Sequence, residues 1–234
     1  MPSTSPERTP SAQAENVIEV DADHENADST YGDDEYAAPA RPAPNDEEEQ
    51  DRLDMFHEVC KMLCEGVIAF APFNKEGRIL DLGTGTGIWA IEAEYQDWNI
   101  VPTSDDGSAT EDNKIIKLQK LVVEATQKIG KEPLPGPKLK GWMEEAGYVN
   151  VTDRVFKMPL GMWPKDQRLK KTGACSLMSY LDGLEAMTYG LLPTVLKWSI
   201  EEVQVLLAEV RKEARRKDVH MYYDCHFVYG QKPE

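Results

Sequence analysis

Ile79-Leu80-Asp81-Leu82-Gly83-Thr84-Gly85-Thr86-Gly87-Ile88-Trp89-Ala90 reads as a short apolar strand, a glycine-rich turn and the first turn of a helix. Glycines at alternate positions let the backbone adopt conformations that a Cβ would penalise, and let a ligand approach the main chain closely. The helix that follows presents free N–H groups and a positive dipole end to whatever occupies the turn. Asp81 adds a carboxylate at the mouth of the strand. That combination suits a ligand carrying an amino group and a sulfonium better than a bare pyrophosphate, and so points to S-adenosyl-L-methionine. The cofactor-binding residues expected on this basis are Asp81, Gly83, Thr84, Gly85, Thr86 and Gly87. A second reading competes, because Gly85-Thr86-Gly87-Ile88-Trp89-Ala90 also satisfies the dinucleotide pattern G-x-G-x-x-A. The longer frame, with its acid and all three glycines, favours the methyl donor.

Working outward, the charge is uneven. Residues 1–50 hold fourteen Asp/Glu against two Arg, which is −12, so the remaining residues carry only −4 of the total −16. Residues 1–44 are rich in Pro, Ser, Asp and Glu and poor in large apolar side chains. Such a segment cannot bury enough surface to offset its ordering entropy and is expected to be an unstructured acidic tail ahead of a domain at 45–234. No basic patch suited to a phosphate backbone is visible, so nucleic acid is not an expected partner. Arg211, Lys212, Arg215, Arg216 and Lys217 read as cations at a helix C-terminus. No apolar run is long enough to cross a bilayer and no signal peptide is present, which predicts a cytoplasmic or nuclear protein that is not secreted. Cys60, Cys64, Cys175 and Cys225 show no framework spacing and are expected as reduced thiols. His57, Cys60 and Cys64 share one helix, but both cysteines lie on its apolar stripe, so packing rather than metal binding is expected there and no metal site is assigned.

Helical spacing predicts a helix opened by Asn45 or Asp46 and carrying Leu53, Phe56, Val59, Cys60, Leu63, Val67 and Ile68 on one face. Further helices are expected at 88–95, 114–129, 138–146 and 166–192, and after Ser199, which forms a capping box with Glu202. Strands are expected at 98–103, 148–157 and 219–229, the last two as an antiparallel pair. Asp105 and Asp106 stand 18 and 19 residues after Gly87, where a ribose-binding acid belongs, although Ser104-Asp105-Asp106-Gly107 is also plain turn chemistry.

From about Asn45 the chain resembles the fungal LaeA-like methyltransferases, a class I S-adenosylmethionine-dependent family. The motifs that carry this are 45–54, 79–91, Gln96-Asp97 with Ser104-Asp105-Asp106-Gly107, the run 139–148, 157–166, and Val228-Tyr229-Gly230-Gln231-Lys232-Pro233; the acidic stretch 28–35 is similar as well. Between about Glu92 and Gln96 a block on the order of 60 to 70 residues is missing relative to that family, enough for its second, third and fourth strands and their helices. The resemblance therefore implies an α/β fold built on a truncated Rossmann-like class I methyltransferase sheet, with few strands, flanking helices and a C-terminal antiparallel pair. By this alignment 98–103 is the family's fifth strand, and Asp105 is then not the ribose ligand. The resemblance further implies methyl transfer in fungal secondary metabolism with impaired cofactor binding, and a small-molecule acceptor or pathway intermediate as partner. The alternatives are a non-catalytic accessory or ligand-binding factor, or a regulator acting through a protein partner. No residue is nominated as catalytic.

Overall fold

The computed structural model describes residues 17–22, 47–67, 70, 95–231 and 233. The glycine turn and its strand lie outside them. The first helix, α1 (Glu47–Leu63), buries Val59, Cys60 and Leu63 at helical spacing, and Cys64 beyond its end joins the same core. It ends before Val67, where Glu65 at φ +57° and then Gly66 at φ +75° turn the chain, the Glu65 N–H bonding Met62 O at 3.3 Å and the Gly66 N–H bonding Lys61 O at 2.8 Å; Ile68 lies outside the described residues. Arg168 Nη1 then donates to Met62 O and Leu63 O at 2.9 and 3.0 Å, a cation placed on the helix's last carbonyls.

Tyr95–Trp98 forms strand β1, where the sequence suggests the end of a helix followed by a strand from residue 98. Four residues on a strand edge are too few for apolar periodicity to show, and pairing with a distant strand decides the matter. The partner is β3 (Tyr222–Gln231), antiparallel, with Trp98 opposite Cys225 and an isolated bridge from Thr103 to Tyr222 extending the contact. On the other side of β3 runs β2 (Val149–Pro159), also antiparallel, with Phe156 opposite Cys225 and Met158 opposite Tyr223. This is the expected antiparallel pair. The sheet order is β1-β3-β2, so β1 and β2 run in the same direction with β3 reversed between them. The described part of the molecule is thus α/β, with a three-stranded sheet whose neighbours are all antiparallel.

Strand alternation assigns the two faces. Tyr223, Cys225 and Phe227 of β3, with Met158 of β2, enter the main core, where the rings of Phe156 and Phe227 meet edge to face at 5.3 Å. Against that core lie α2 (Lys114–Lys128), α4 (Gln167–Asp182), the short α5 (Leu184–Thr188) and α6 (Ile200–Ala214), and α1 packs on α4. The single helical stretch expected at 166–192 is broken at Gly183 into α4 and α5 and continues as a π turn at Leu192–Leu196, closed by Lys197 in the left-handed region at φ +63°. The opposite sheet face is partly covered by a 3-10 turn (Gly136–Lys138) and by α3 (Leu139–Glu145). A Cβ on Gly136 would lie 3.0 Å from the His226 ring and 3.3 Å from Asp97 O, so glycine allows this close approach without displacing its neighbours.

Helix α6 opens with the predicted box: Glu202 N–H donates to Ser199 Oγ at 3.1 Å and Ser199 N–H to Glu202 Oε2 at 2.8 Å. Ser199→Ala is expected to lower stability by about 1 kcal/mol, measured by urea denaturation, because the change strands an N–H at the helix start.

Within the tail expected to lack structure, Val17–Ala22 is placed against the domain: Val20 bridges Pro164, Asp21 N–H donates to Trp163 O at 2.7 Å, and Lys165 N–H to Glu19 O at 2.8 Å.

Candidate functional site

Asp81, Gly83, Thr84, Gly85, Thr86 and Gly87 lie outside the described residues. Because β1 and β2 run in the same direction, their carboxyl ends emerge at one edge of the sheet. Three loops form that rim: 99–108 after β1, 160–166 after β2, and 216–221 leading into β3.

Lys157, near the end of β2, donates to both carboxylate oxygens of Asp105 at 2.8 and 2.7 Å, and Tyr222 Oη donates to Asp105 Oδ1 at 2.7 Å. The Lys157 ammonium also sits 4.6 Å above the Tyr222 ring. Burial alone pushes the Asp105 carboxyl up, but bonds from Lys157 and Tyr222 outweigh it and hold the group below the usual carboxylate range. Burial, with the same carboxylate, raises the Tyr222 phenol. Asp106 closes an Asx turn onto Ser108 N at 2.9 Å, and His220 Nδ1 lies 2.5 Å from its other oxygen. Here too burial pushes upward, and the bonds from Ser108 and His220 overcome it, leaving Asp106 at about 2. His220 N–H in turn donates to Ser108 Oγ at 2.8 Å, and its ring packs 5.5 Å from that of Trp163.

The two acids that stand at ribose-binding distance in the sequence are therefore occupied in joining the rim loops together. Both carboxylates are held by protein groups. Sequence alternation from Val151 to Lys157 puts Lys157 on the same face as Asp153, and that was the available signal for the Lys157–Asp105 pair; its partner across 52 residues carried none. Trp163 was visible only as part of a motif. It is 3% exposed, and its Nε1–H donates to Met221 O at 3.0 Å, fastening the loop after β2 to the chain entering β3.

On the covered sheet face, Asp97 and Asp224 flank His226, whose Nδ1 is 2.9 Å from Asp153 Oδ2. Burial raises both the Asp97 and the Asp224 carboxyls, against the pull of the His226 charge. A carboxyl raised in the folded state costs nothing below its unfolded value near 4, and costs stability increasingly as pH climbs through its folded value. Asp224→Asn is therefore expected to stabilise the domain at pH 7 by a few tenths of a kcal/mol to about 1 kcal/mol, with no gain near pH 3, as read by thermal melts.

Cys60 and Cys64 are buried among apolar neighbours, as the packing reading expects, and burial pushes the Cys60 thiol up to about 12. Among the described residues no group of three or more His, Cys, Asp or Glu side chains is arranged to hold a metal ion, and no helix is long and apolar enough to cross a membrane.

The wider comparison defines the class. Methyltransferase pytC of Aspergillus terreus is 30% identical over 85% of this chain and 85% of its own. The probable methyltransferase tdiE of Emericella nidulans is 35% identical over 60% of this chain and 44% of its own, and the protein-methionine methyltransferase laeA of the same species is 23% identical over 81% and 72%. No protein-family profile and no solved structure matches the chain. The chain belongs to the LaeA-like methyltransferases of fungi. The match to pytC spans 276 aligned positions but draws on 85% of 234 residues, or 199, so 77 positions face a gap in this chain. The match to tdiE, 141 positions on 60% of the chain, or 140 residues, needs almost no such gap.

Proposed function

We propose that this is a methyltransferase-like protein of fungal secondary metabolism whose sequence at 81–87 keeps the pattern of a methyl-donor loop, but which holds S-adenosylmethionine weakly because the supporting strands are lost. The observation that carries this reading is the gap of 77 positions against pytC, a relative matched along 85% of its length. Bound cofactor would supply an activated methyl group. A nucleoside ligand needs contacts from strands on both sides of the loop, and the acids at the described rim do not fit that role, being taken up by Lys157, Tyr222, Ser108 and His220. No transfer step is therefore assigned to residues of this chain.

A non-catalytic role beside a pathway enzyme, or through a protein partner, is the second reading, favoured by relatives described as secondary metabolism regulators. Isothermal titration of the full chain with S-adenosylmethionine tests the choice. A Kd above about 1 mM is expected; the step from 1 mM to 1 μM is about 4 kcal/mol, the scale of the lost contacts. Micromolar binding would overturn the reading.

A further inference from the structure

The segment Val17-Ile18-Glu19-Val20-Asp21 alternates apolar and acidic residues, the pattern of a half-covered strand. It lies across the rim at the carboxyl ends of β1 and β2. Two main-chain hydrogen bonds tie it to the loop after β2, from Asp21 N–H to Trp163 O at 2.7 Å and from Lys165 N–H to Glu19 O at 2.8 Å, with Val20 bridging Pro164. Its acids meet two cations: Glu19 lies 2.7 Å from Lys165 Nζ, and Asp21 pairs with Lys170 in the first turn of α4. On the other side, the Ile18 N–H reaches the Asp105 carboxylate, so the segment touches the loop after β1 as well. Its apolar residues are only half-buried and Val17 is 72% exposed, so little apolar burial secures it.

We propose that Ile18–Asp21 is a detachable acidic strap that closes this edge of the sheet by main-chain pairing with the loop after β2, clamped by Lys165 and Lys170. The main-chain bonds supply part of the attachment, and with little apolar burial beside them the two charge pairs make up a large share of the rest. The Lys165–Glu19 pair is largely exposed, at 62% and 73%, so salt screens it readily. When the clamp opens, the strap leaves as a unit, because both hydrogen bonds lie on one short extended segment. The inference concerns this edge alone, and its measurement does not involve the methyl donor.

Hydrogen exchange on the full chain decides it. The amides of Asp21 and Lys165 are expected to be protected at low salt, and protection is expected to fall at least tenfold in 1 M NaCl and in Lys165→Glu/Lys170→Glu. Reversing the partners too, with Glu19→Lys and Asp21→Lys added, is expected to restore it. The amide of Val210 in the core of α6 reports the global fold in each case, and should a variant lose it, the salt titration of the unaltered chain stands as the measurement. Protection that is absent in the unaltered chain, or that salt leaves unchanged while Val210 stays protected, overturns the proposal.

Discussion

Replacing Gly173 by alanine is expected to destabilise the domain by about 3 kcal/mol, although the same change inside an exposed helix gains about 1 kcal/mol. Gly173 sits within α4, where its helix faces the turn after β2. A Cβ there would lie 2.0 Å from Gly161 O, 3.0 Å from Gly161 C and 3.1 Å from Pro159 Cβ. Two of these atoms are main chain, so no side chain can swing aside. Gly161, at φ +104°, donates its N–H to Gly173 O at 3.0 Å, which locks the turn to the helix at this separation. To admit a methyl group, α4 must lift from β2, opening the seam that Leu177 and Met158 help fill. Urea denaturation measures the loss, and the thermal midpoint should fall by about 2–4 °C for each kcal/mol. Wild-type stability in Gly173→Ala would mean that the helix and turn are not in this close contact.

Trp163→Ala carries the second large effect, expected at about 3–5 kcal/mol for removing a buried indole. Three contacts fail together: packing in the rim, the contact with the His220 ring, and the bond to Met221 O. Trp163→Phe separates them. Met221 O also accepts from Leu160 N–H at 2.9 Å, so losing the indole donor leaves that carbonyl satisfied. The phenylalanine variant should therefore cost only about 1 kcal/mol, the net value of one hydrogen bond plus a small volume change. Equal losses in the two variants would show that the hydrogen bond, not the packing, dominates.

What the sequence revealed follows from where the information lies. The box at Ser199 and Glu202, the glycine stops after α2 and α3, and the alternation of β2 depend on neighbours a few residues apart, and all were legible. The break at Gly183 was not, because one glycine inside an apolar period can be tolerated or can end a helix; a Cβ there would meet Ser179 O at 3.3 Å and Arg52 at 3.6 Å. β1 escaped because four residues carry no period, and its identity comes from β3, more than a hundred residues later. At the rim, the turn chemistry of Ser104–Gly107 was readable but its partners were not. Lys157, His220 and Tyr222 reach Asp105 and Asp106 across 52, 114 and 117 residues, and only the fold brings them together. The family resemblance argues against Asp105 as a ribose ligand, and the geometry shows it engaged by Lys157 and Tyr222.

The middle strand of the sheet is made after both of its neighbours. During synthesis on a ribosome, β1 and β2 emerge with unpaired edges, and Tyr95 waits for Val228. Helices α2 and α4 rely on nearer contacts and can form meanwhile, but among the described strands their apolar faces meet no paired sheet until β3 joins β1 and β2. Such late, long-range closure is slow and leaves hydrophobic surface open to self-association while the nascent chain waits for its last strand.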